Sequence, residues 1–128
     1  MIRVVTDASP WIAYFSGERC APLELALAAG AAVVPPLVQV ELLGNRLPPR
    51  ERRALEELFA PLVPRGFHPE HWTRAGALKA ELEGQGIFLS ARDVHVLQCA
   101  IDEQAVLLSS DPLLNSVQKS TGVAVQMW

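Results

Sequence analysis

Short apolar runs alternate with longer amphipathic stretches along the chain, and this alternation predicts strands that alternate with helices. Strands are predicted at residues 2–6, 31–34, 105–109 and 123–127. Helices are predicted after Ser9-Pro10, over residues 22–29, 36–46, 50–60, 69–83 and 91–103, and after Asp111-Pro112. Strands that are apolar throughout are typical of a parallel sheet covered on both faces. The pattern therefore predicts the α/β class, as a three-layer α/β/α fold with a central, mainly parallel sheet.

The chain shows no internal repeat, no Gly/Ser-rich tract and no long block of like charge that would separate two units. Its 128 residues match the usual size of one domain, about 100–150 residues. Half of the residues are apolar and a fifth are charged, so a sizeable core can form and intrinsic disorder is excluded. We therefore expect a single domain over residues 1–128.

The apolar residues and the cysteines indicate where the protein works. No apolar run approaches the roughly 20 residues that cross a bilayer, and Asp7 cuts the first apolar run too short for a signal peptide. Cys20 and Cys99 are the only cysteines, so neither a disulfide framework nor a cysteine-rich zinc site is available. Cys20 is expected in a loop and Cys99 in the core. These features predict a cytoplasmic protein without a membrane segment.

Three aspartates have positions that a parallel sheet would bring toward one edge. Asp7 follows the first predicted strand, and Asp111 follows the strand that ends at Ser109. Ligands of such sheets bind beyond the carboxyl ends of the strands. Asp93 lies in the first turn of the helix that leads into the later strand. A fourth acid, Glu41, lies in an apolar helix, where an unpaired carboxylate is costly to bury.

Carboxylates that converge in one pocket repel one another, which raises their pKa values unless a cation neutralises them. All-oxygen sites without histidine or cysteine suit Mg²⁺ and Mn²⁺. Such ions activate water and offset the charge that develops on a phosphate. The four acids therefore predict a metal-dependent hydrolase that acts on a phosphodiester.

Each aspartate also has a purely structural interpretation. Ser90 and Asp93 have the spacing of a capping box. Asp111 has the position of a helix N-cap, and Asp7 can cap the first helix or begin a turn. Glu41 has no comparable local explanation, so the four acids together favour a site over a set of separate caps.

The four acids and the residues around them resemble the motifs of PIN-domain ribonucleases, especially the VapC toxins of toxin–antitoxin pairs. The matching segments are Asp7-Ala8-Ser9 with Trp11-Ile12, the mid-chain Glu41, the run from Asp93 to Ala100, and Leu107-Leu108-Ser109-Ser110-Asp111. Each motif is short, and the resemblance rests on all four in this order over essentially the whole chain.

The resemblance implies a parallel sheet with helices on both sides and cleavage of RNA that depends on Mg²⁺ or Mn²⁺. It implies metal ligands at Asp7, Glu41, Asp93 and Asp111, and supporting hydroxyls at Ser9 and Ser109. It also implies two protein partners. A small antitoxin is expected to block the site by inserting a basic side chain among the acids, and a second copy of the chain is expected to complete a homodimer.

Two positions depart from the family pattern. His95 lies where the family usually carries an aliphatic residue, and Asn115 stands near a further polar or acidic position of some members. We interpret His95 as a residue packed on one side of its helix. His68 and His71 are expected in solvent, and the lack of a third ligand nearby in sequence disfavours a zinc site there.

The net charge of −3, from 11 basic and 14 acidic residues, argues against nonspecific coating of DNA but leaves room for a local basic patch. The densest basic cluster consists of Arg46, Arg50, Arg52 and Arg53. One interpretation is a solvated helix face, in which Arg53 pairs with Glu57. The other is a rim that grips the phosphates of RNA, to which Arg92 can contribute.

Other functions fit the sequence less well. A phosphoacceptor receiver domain needs an acidic pair after the first strand and a lysine after a late strand, whereas Lys79 and Lys119 fall in predicted helices. A haloacid-dehalogenase-type phosphatase needs a second aspartate where Ser9 stands, and no glycine-rich phosphate loop is present. The remaining alternative is a non-enzymatic PIN-like interaction module with idle acids, which metal binding distinguishes from a nuclease.

Overall fold

A four-stranded parallel sheet forms the centre of the protein; the structure, a computed structural model, describes residues 1–64 and 67–128. The strands are β1 (Val4–Thr6), β2 (Ala32–Val33), β3 (Val106–Ser109) and β4 (Val125–Met127), in the order β2-β1-β3-β4. The helices are α1 (Ala8–Phe15), α2 (Ala21–Ala28), α3 (Pro36–Leu43), α4 (Pro49–Phe59), α5 (Glu70–Gly84), α6 (Ala91–Glu103), α7 (Pro112–Asn115) and α8 (Gln118–Thr121). The predicted α/β class with a parallel sheet is confirmed. None of the helices in the described ranges is long and apolar enough to span a membrane.

The interior strands β1 and β3 lie side by side. Val5 pairs with Leu107 of β3 and with Val33 of β2, and all three residues are fully buried. Because the strands are parallel, the carboxyl ends of β1 and β3 meet at the same edge of the sheet. The N–H of Asp7 donates to the carbonyl of Leu108 at 3.1 Å, which continues the pairing past the end of β1. This pairing fixes the first residue after β1 beside β3.

Trp11 anchors α1 to the sheet. Its indole Nε1 donates to the hydroxyl of Thr6 at 2.8 Å, and its ring meets Phe59 edge-on with the ring centroids 5.2 Å apart. The Thr6 hydroxyl donates in turn to the carbonyl of Val33 at 3.3 Å. These buried polar groups are therefore paired, which avoids the free-energy penalty of an unsatisfied donor. The contacts join α1, β1 and β2. Because Asp7 lies between Thr6 and α1, they also fix the position of its main chain.

The helix α6 is buried on all sides rather than along one stripe. The run from Asp93 to Ala100 is buried without interruption, because α6 packs against α5, α3 and β1. At its start, the hydroxyl of Ser90 accepts the N–H of Asp93 at 3.1 Å. The helix ends at Gln104, which takes the left-handed conformation with φ 51°. This central position brings α6 into contact with the elements that carry the predicted acids.

The first helix begins earlier than predicted. Its N-cap is Asp7 and not Ser9, because the side chain of Asp7 accepts the N–H of Ala8. Pro10 then lies within the first turn, where its missing N–H removes no helical hydrogen bond.

The third helix ends at Leu43 and not at residue 46 as predicted. The guanidinium of Arg52 donates to the carbonyls of Leu43 at 2.6 Å and Asn45 at 3.1 Å. Because Arg52 satisfies carbonyls at the end of α3, the helix can stop there. One of the four clustered arginines is thus a structural residue.

The two cysteines are both free and buried. Cys99 lies in the core as predicted. Cys20 lies in the loop before α2 as predicted, where it is the N-cap residue of that helix, and its side chain is buried in the core.

Candidate metal-binding site

Asp7 and Asp111 follow the carboxyl ends of β1 and β3, and both are hydrogen-bonded to the hydroxyl of Ser109. The Ser109 hydroxyl donates to Oδ2 of Asp7 at 2.7 Å and accepts the N–H of Asp111 at 3.0 Å. This link spans 102 residues of sequence, and it follows from the pairing of β1 with β3. One of the two predicted hydroxyls therefore links the Asp7 carboxylate to the main chain of Asp111.

The other predicted hydroxyl, Ser9, lies at the same edge but contacts a different partner. It accepts the hydroxyl of Ser110 at 3.0 Å, and no hydrogen bond to an acid is found for it among the described residues. The pair of hydroxyls forms an exposed polar rim beside Asp7 and Asp111.

A single guanidinium brings the other acids together. Nη1 of Arg92 lies 3.1 Å and 3.3 Å from the two carboxylate oxygens of Glu41, and 3.8 Å from Oδ1 of Asp7. Nη2 of Arg92 donates to Oδ1 of Asp93 at 3.0 Å. Because α3 packs against α6, Glu41 reaches the first turn of α6 across 51 residues of sequence. We call Asp7, Glu41, Asp93 and Asp111 together the acid site.

The acid site is buried at its base and open at its mouth. The side chains of Asp7 and Asp93 are 7% and 10% exposed, whereas those of Glu41 and Arg92 are 38% and 37% exposed. Burial on its own would lower the pKa of Arg92, but the charges of Asp7, Asp93 and Glu41 raise it above its ordinary value. The guanidinium therefore stays charged and neutralises part of the negative charge around it.

Two of the aspartates of the acid site, Asp7 and Asp111, also cap helices. One oxygen of Asp7 accepts the N–H of Ala8, while the other accepts the hydroxyl of Ser109. Oδ1 of Asp111 accepts the N–H of Leu113 at 2.9 Å. Asp93 forms only half of a capping box, since its carboxylate is bonded to Arg92. A carboxylate has two oxygens, so a cap does not prevent it from serving as a ligand.

The residues of the acid site fit a hard divalent cation. The guanidinium of Arg92 is a cation already in contact with three of the four carboxylates. Carboxylate and hydroxyl oxygens are the donors that Mg²⁺ and Mn²⁺ prefer, and no nitrogen or sulfur ligand belongs to this group of residues.

The predicted basic rim lies beside the helix that carries Glu41. Arg46, Arg50 and Arg53 are exposed around the connection between α3 and α4. Within the described residues no ion pair joins Arg53 to Glu57, so the predicted pairing is wrong. Asn115 is bound to Asp111 only through the main chain, where its N–H donates to the Asp111 carbonyl at 3.3 Å, and its side-chain oxygen accepts Nε2 of Gln118 at 2.6 Å.

A buried pair of histidines, one on α5 and one on α6, was not predicted from the sequence. Nε2 of His71 lies 2.7 Å from Nδ1 of His95, and both side chains are almost fully buried. The expectation that His71 is solvated is therefore wrong, whereas His68 is exposed as predicted. The available signal is the spacing of His71, Ala75, Leu78 and Leu82, which places the histidine on the apolar face of α5.

The hydrogen bonds of the pair define the tautomers of both rings. The N–H of Leu37 donates to Nε2 of His95 at 3.3 Å, so Nδ1 of His95 carries the proton and donates to His71. Nδ1 of His71 then donates to Asp102 at 3.3 Å. Every ring nitrogen therefore has a hydrogen-bond partner, and this series of hydrogen bonds from Leu37 to Asp102 requires both rings to be neutral.

The same pair lies close to Cys99, and the three residues have the ligand types of a zinc site. The Cys99 sulfur is 4.0 Å from Nε2 of His95. Burial, with a contribution from Asp102, raises the pKa of Cys99 to about 12, which keeps the thiol protonated. The ring nitrogens of His71 and His95 are already hydrogen-bonded to Leu37, to each other and to Asp102, so hydrogen bonding explains why these residues lie together without a metal ion.

Comparison with known proteins adds a family and a fold. A PIN domain family model matches residues 4–120, a range that includes the whole acid site. A similar chain occurs in the crystal structure of VapBC2 from Rickettsia felis, which is bound to a DNA fragment from its promoter. The TM-score is 0.72 with 18% sequence identity, and the match covers 100% of this chain and 99% of that one. No curated protein sequence matches this chain. At this identity, the structural likeness shows a shared fold.

Proposed function

This chain belongs to the PIN domain family, and on that basis we propose that it is a Mg²⁺- or Mn²⁺-dependent endoribonuclease, the toxin of a type II toxin–antitoxin pair. The observation that supports the proposal most is the convergence of Asp7, Glu41 and Asp93 on the guanidinium of Arg92. The main chain of Asp111 is linked to the Asp7 carboxylate through Ser109. Carboxylates from three separate elements meet at Arg92, and Asp111 follows β3 at the same edge of the parallel sheet, where ligands bind.

In the proposed reaction, the four carboxylates of the acid site hold the ion. When bound, the ion supplies the positive charge that activates a water and offsets the charge on the phosphate. Ser109 orients the Asp7 carboxylate by donating to Oδ2, while the N–H of Ala8 holds Oδ1. The paired hydroxyls of Ser9 and Ser110 would be hydrogen-bond donors to a phosphodiester oxygen that binds at the rim of the site.

The exposed arginines Arg46, Arg50 and Arg53 are proposed to hold the RNA backbone beside the acids. Contacts of arginine to phosphate position a nucleic acid without reading its sequence. Both cysteines are free and buried, which fits a reducing compartment, and we place the activity in the cytoplasm. The homodimer stays a prediction of the family resemblance.

RNA cleavage by the purified protein is expected to depend on a divalent ion. The reason is that the ion bound at the acid site activates the attacking water, and we propose no other group of the described residues for this role. The measurement is the rate of cleavage of structured and single-stranded RNA with Mg²⁺, with Mn²⁺ and with chelator. Activity should disappear with chelator and return when Mn²⁺ is added in excess.

Two results would contradict the proposal. Cleavage that continues unchanged in chelator would exclude metal dependence. A protein that neither cleaves RNA nor binds Mn²⁺ at its carboxylates would instead support the alternative, a PIN-like interaction module with idle acids.

We propose that the antitoxin occupies an apolar groove next to the acid site. The groove has a volume of 640 Å³ and lies between α1, α3 and α4. Its lining includes Ile12, Phe15, Leu42 and Leu55, and Leu42 directly follows Glu41 in α3. The similar chain from Rickettsia felis is part of a complex with its own partner protein. A partner seated in this groove would lie against the helix that carries Glu41 and would restrict access to the acids.

An Ile12→Glu substitution is expected to abolish or strongly weaken capture of the antitoxin encoded in the neighbouring reading frame. Ile12 is 59% exposed and lines the groove, so a charge there blocks an apolar partner without disturbing the core. The measurement is co-purification after co-expression. Leu25→Glu is the matched control, because Leu25 is 72% exposed on α2 and does not line the groove. Equal capture by both variants would contradict the proposed docking surface.

A further inference from the structure

We infer that Arg92 is a resident counter-ion of the acid site, which a divalent ion has to displace before the site can work. This inference rests on the proposed function, because it requires that the acid site binds Mg²⁺ or Mn²⁺. It assigns Arg92 a role in the metal-free protein, in addition to the phosphate contact that the sequence suggests. Arg92 would set the affinity for metal and keep the metal-free site from exposing uncompensated acids.

The contacts of Arg92 place its charge where the charge of a metal ion is needed. Nη1 faces both oxygens of Glu41 and Oδ1 of Asp7, and Nη2 faces Oδ1 of Asp93. These carboxylates come from α3, from the end of β1 and from the first turn of α6. A surface ion pair usually joins one cation to one anion, whereas this guanidinium joins three elements.

Arg92 and a divalent ion compete for the same oxygens. A hard ion binds carboxylate oxygens directly at about 2.0–2.2 Å, which leaves no room for a guanidinium hydrogen-bonded to the same atoms. Three carboxylates around one guanidinium also leave a net negative charge, so a doubly charged ion is the better neutralising group. The exchange of Arg92 for the ion is therefore electrostatically favourable.

The side chains differ in their freedom to move, and this difference determines which of them yields. Asp7 is held from two sides by Ala8 and Ser109, and its side chain is 7% exposed. Arg92 has a long side chain that is 37% exposed at the open mouth of the site. The guanidinium can therefore swing into solvent while the buried carboxylates of Asp7 and Asp93 keep their places, and it then lies at the rim where an RNA phosphate would arrive.

The test is a titration of the purified protein with MnCl₂ by calorimetry, for wild type, Arg92→Gln and Arg92→Lys. Arg92→Gln is expected to bind Mn²⁺ at least about tenfold more tightly, because the competing charge is gone. Arg92→Lys, which keeps the charge but loses the two-nitrogen fork, is expected between the two. Arg19→Gln is the matched control, because within the described residues the exposed Arg19 pairs with Glu24 of α2 and with none of the acids of the acid site, so its loss should leave the Mn²⁺ affinity unchanged.

Thermal melts provide a second measurement that requires neither RNA nor activity. In chelator, Arg92→Gln is expected to melt at a lower temperature than wild type, because Asp7, Glu41 and Asp93 then repel one another without a counter-ion. Saturating Mn²⁺ should raise its melting temperature by more than it raises that of wild type.

The outcomes separate this inference from the proposed function. If wild type binds Mn²⁺ and Arg92→Gln binds it equally or more weakly, the metal site stands and the counter-ion role is wrong. If neither protein binds Mn²⁺, the metal-dependent function fails and the competition fails with it. Tighter binding by Arg92→Gln, with the lower melting temperature in chelator, supports both.

Discussion

An Asp7→Asn variant is expected to cleave RNA at least about 100-fold more slowly than wild type while keeping its fold. Residues one contact away from a metal usually change activity by about 10–100-fold, and a ligand in direct contact should have a larger effect. Asn keeps an oxygen that can accept the N–H of Ala8, so the cap of α1 survives. The measurement is the single-turnover rate of RNA cleavage in Mn²⁺ with the protein in excess.

The control for this prediction is Glu24→Gln, which removes the same charge from a half-buried residue of α2 whose ion pair in the described part of the chain is with the exposed Arg19. Its cleavage rate should equal that of wild type. Melting temperatures in chelator should show that Asp7→Asn remains folded. A variant that retains wild-type cleavage would mean that Asp7 is a capping residue of α1 and nothing more.

Acidification from pH 7 to pH 4.5 is expected to lower the free energy of unfolding by about 2 kcal/mol through His95 alone. Burial, with a smaller effect of His71, lowers the pKa of His95 to about 4. An unfolded histidine has its ordinary pKa near 6.5, so the unfolded state takes up the proton first. The stability is therefore complete above about pH 6.5 and is lost as the pH falls toward 4.

Urea unfolding of wild type and His95→Gln at several pH values measures this contribution. The variant should be less stable at pH 7, because Leu37 and His71 lose their histidine partner, and its stability should depend less on pH in the acid range. His68→Gln is the matched control, since His68 is exposed and should leave the pH dependence as it is. Equal pH dependence in wild type and His95→Gln would contradict the assignment.

The fold and the edge of the acid site could be predicted because they depend on local patterns. Apolar runs with turn residues between them indicate the strands, and parallel strands place their carboxyl ends together. The positions of Asp7 and Asp111 follow directly from that rule. Glu41 stood out because its apolar helix offers no local partner, and its partner is Arg92, 51 residues away.

The contacts that depend on how helices pack could not be predicted in the same way. The sequence places Arg92 beside Asp93, but only the packing of α3 against α6 turns its guanidinium onto Glu41. The pairing of His71 with His95 depends similarly on α5 and α6, which make the most extensive helix contact in the described residues. Helix ends were shifted where a distant side chain supplied the terminal hydrogen bonds, as Arg52 does for α3.

The strand order β2-β1-β3-β4 has a consequence for how the protein is made. β1 is synthesised early, but one of its two neighbours is β3, and Asp7 meets Ser109 across 102 residues. Chains emerge from the ribosome at about 5–20 residues per second, and pairing across so long a separation has to wait for the later segment. A nascent chain that has not yet delivered β3 therefore has Asp7 without Asp111, and a shorter one that ends before α6 also has Glu41 without Asp93 and Arg92. The acid site therefore forms only after β3 and Asp111 have been synthesised, so shorter nascent chains carry individual acids but not the site.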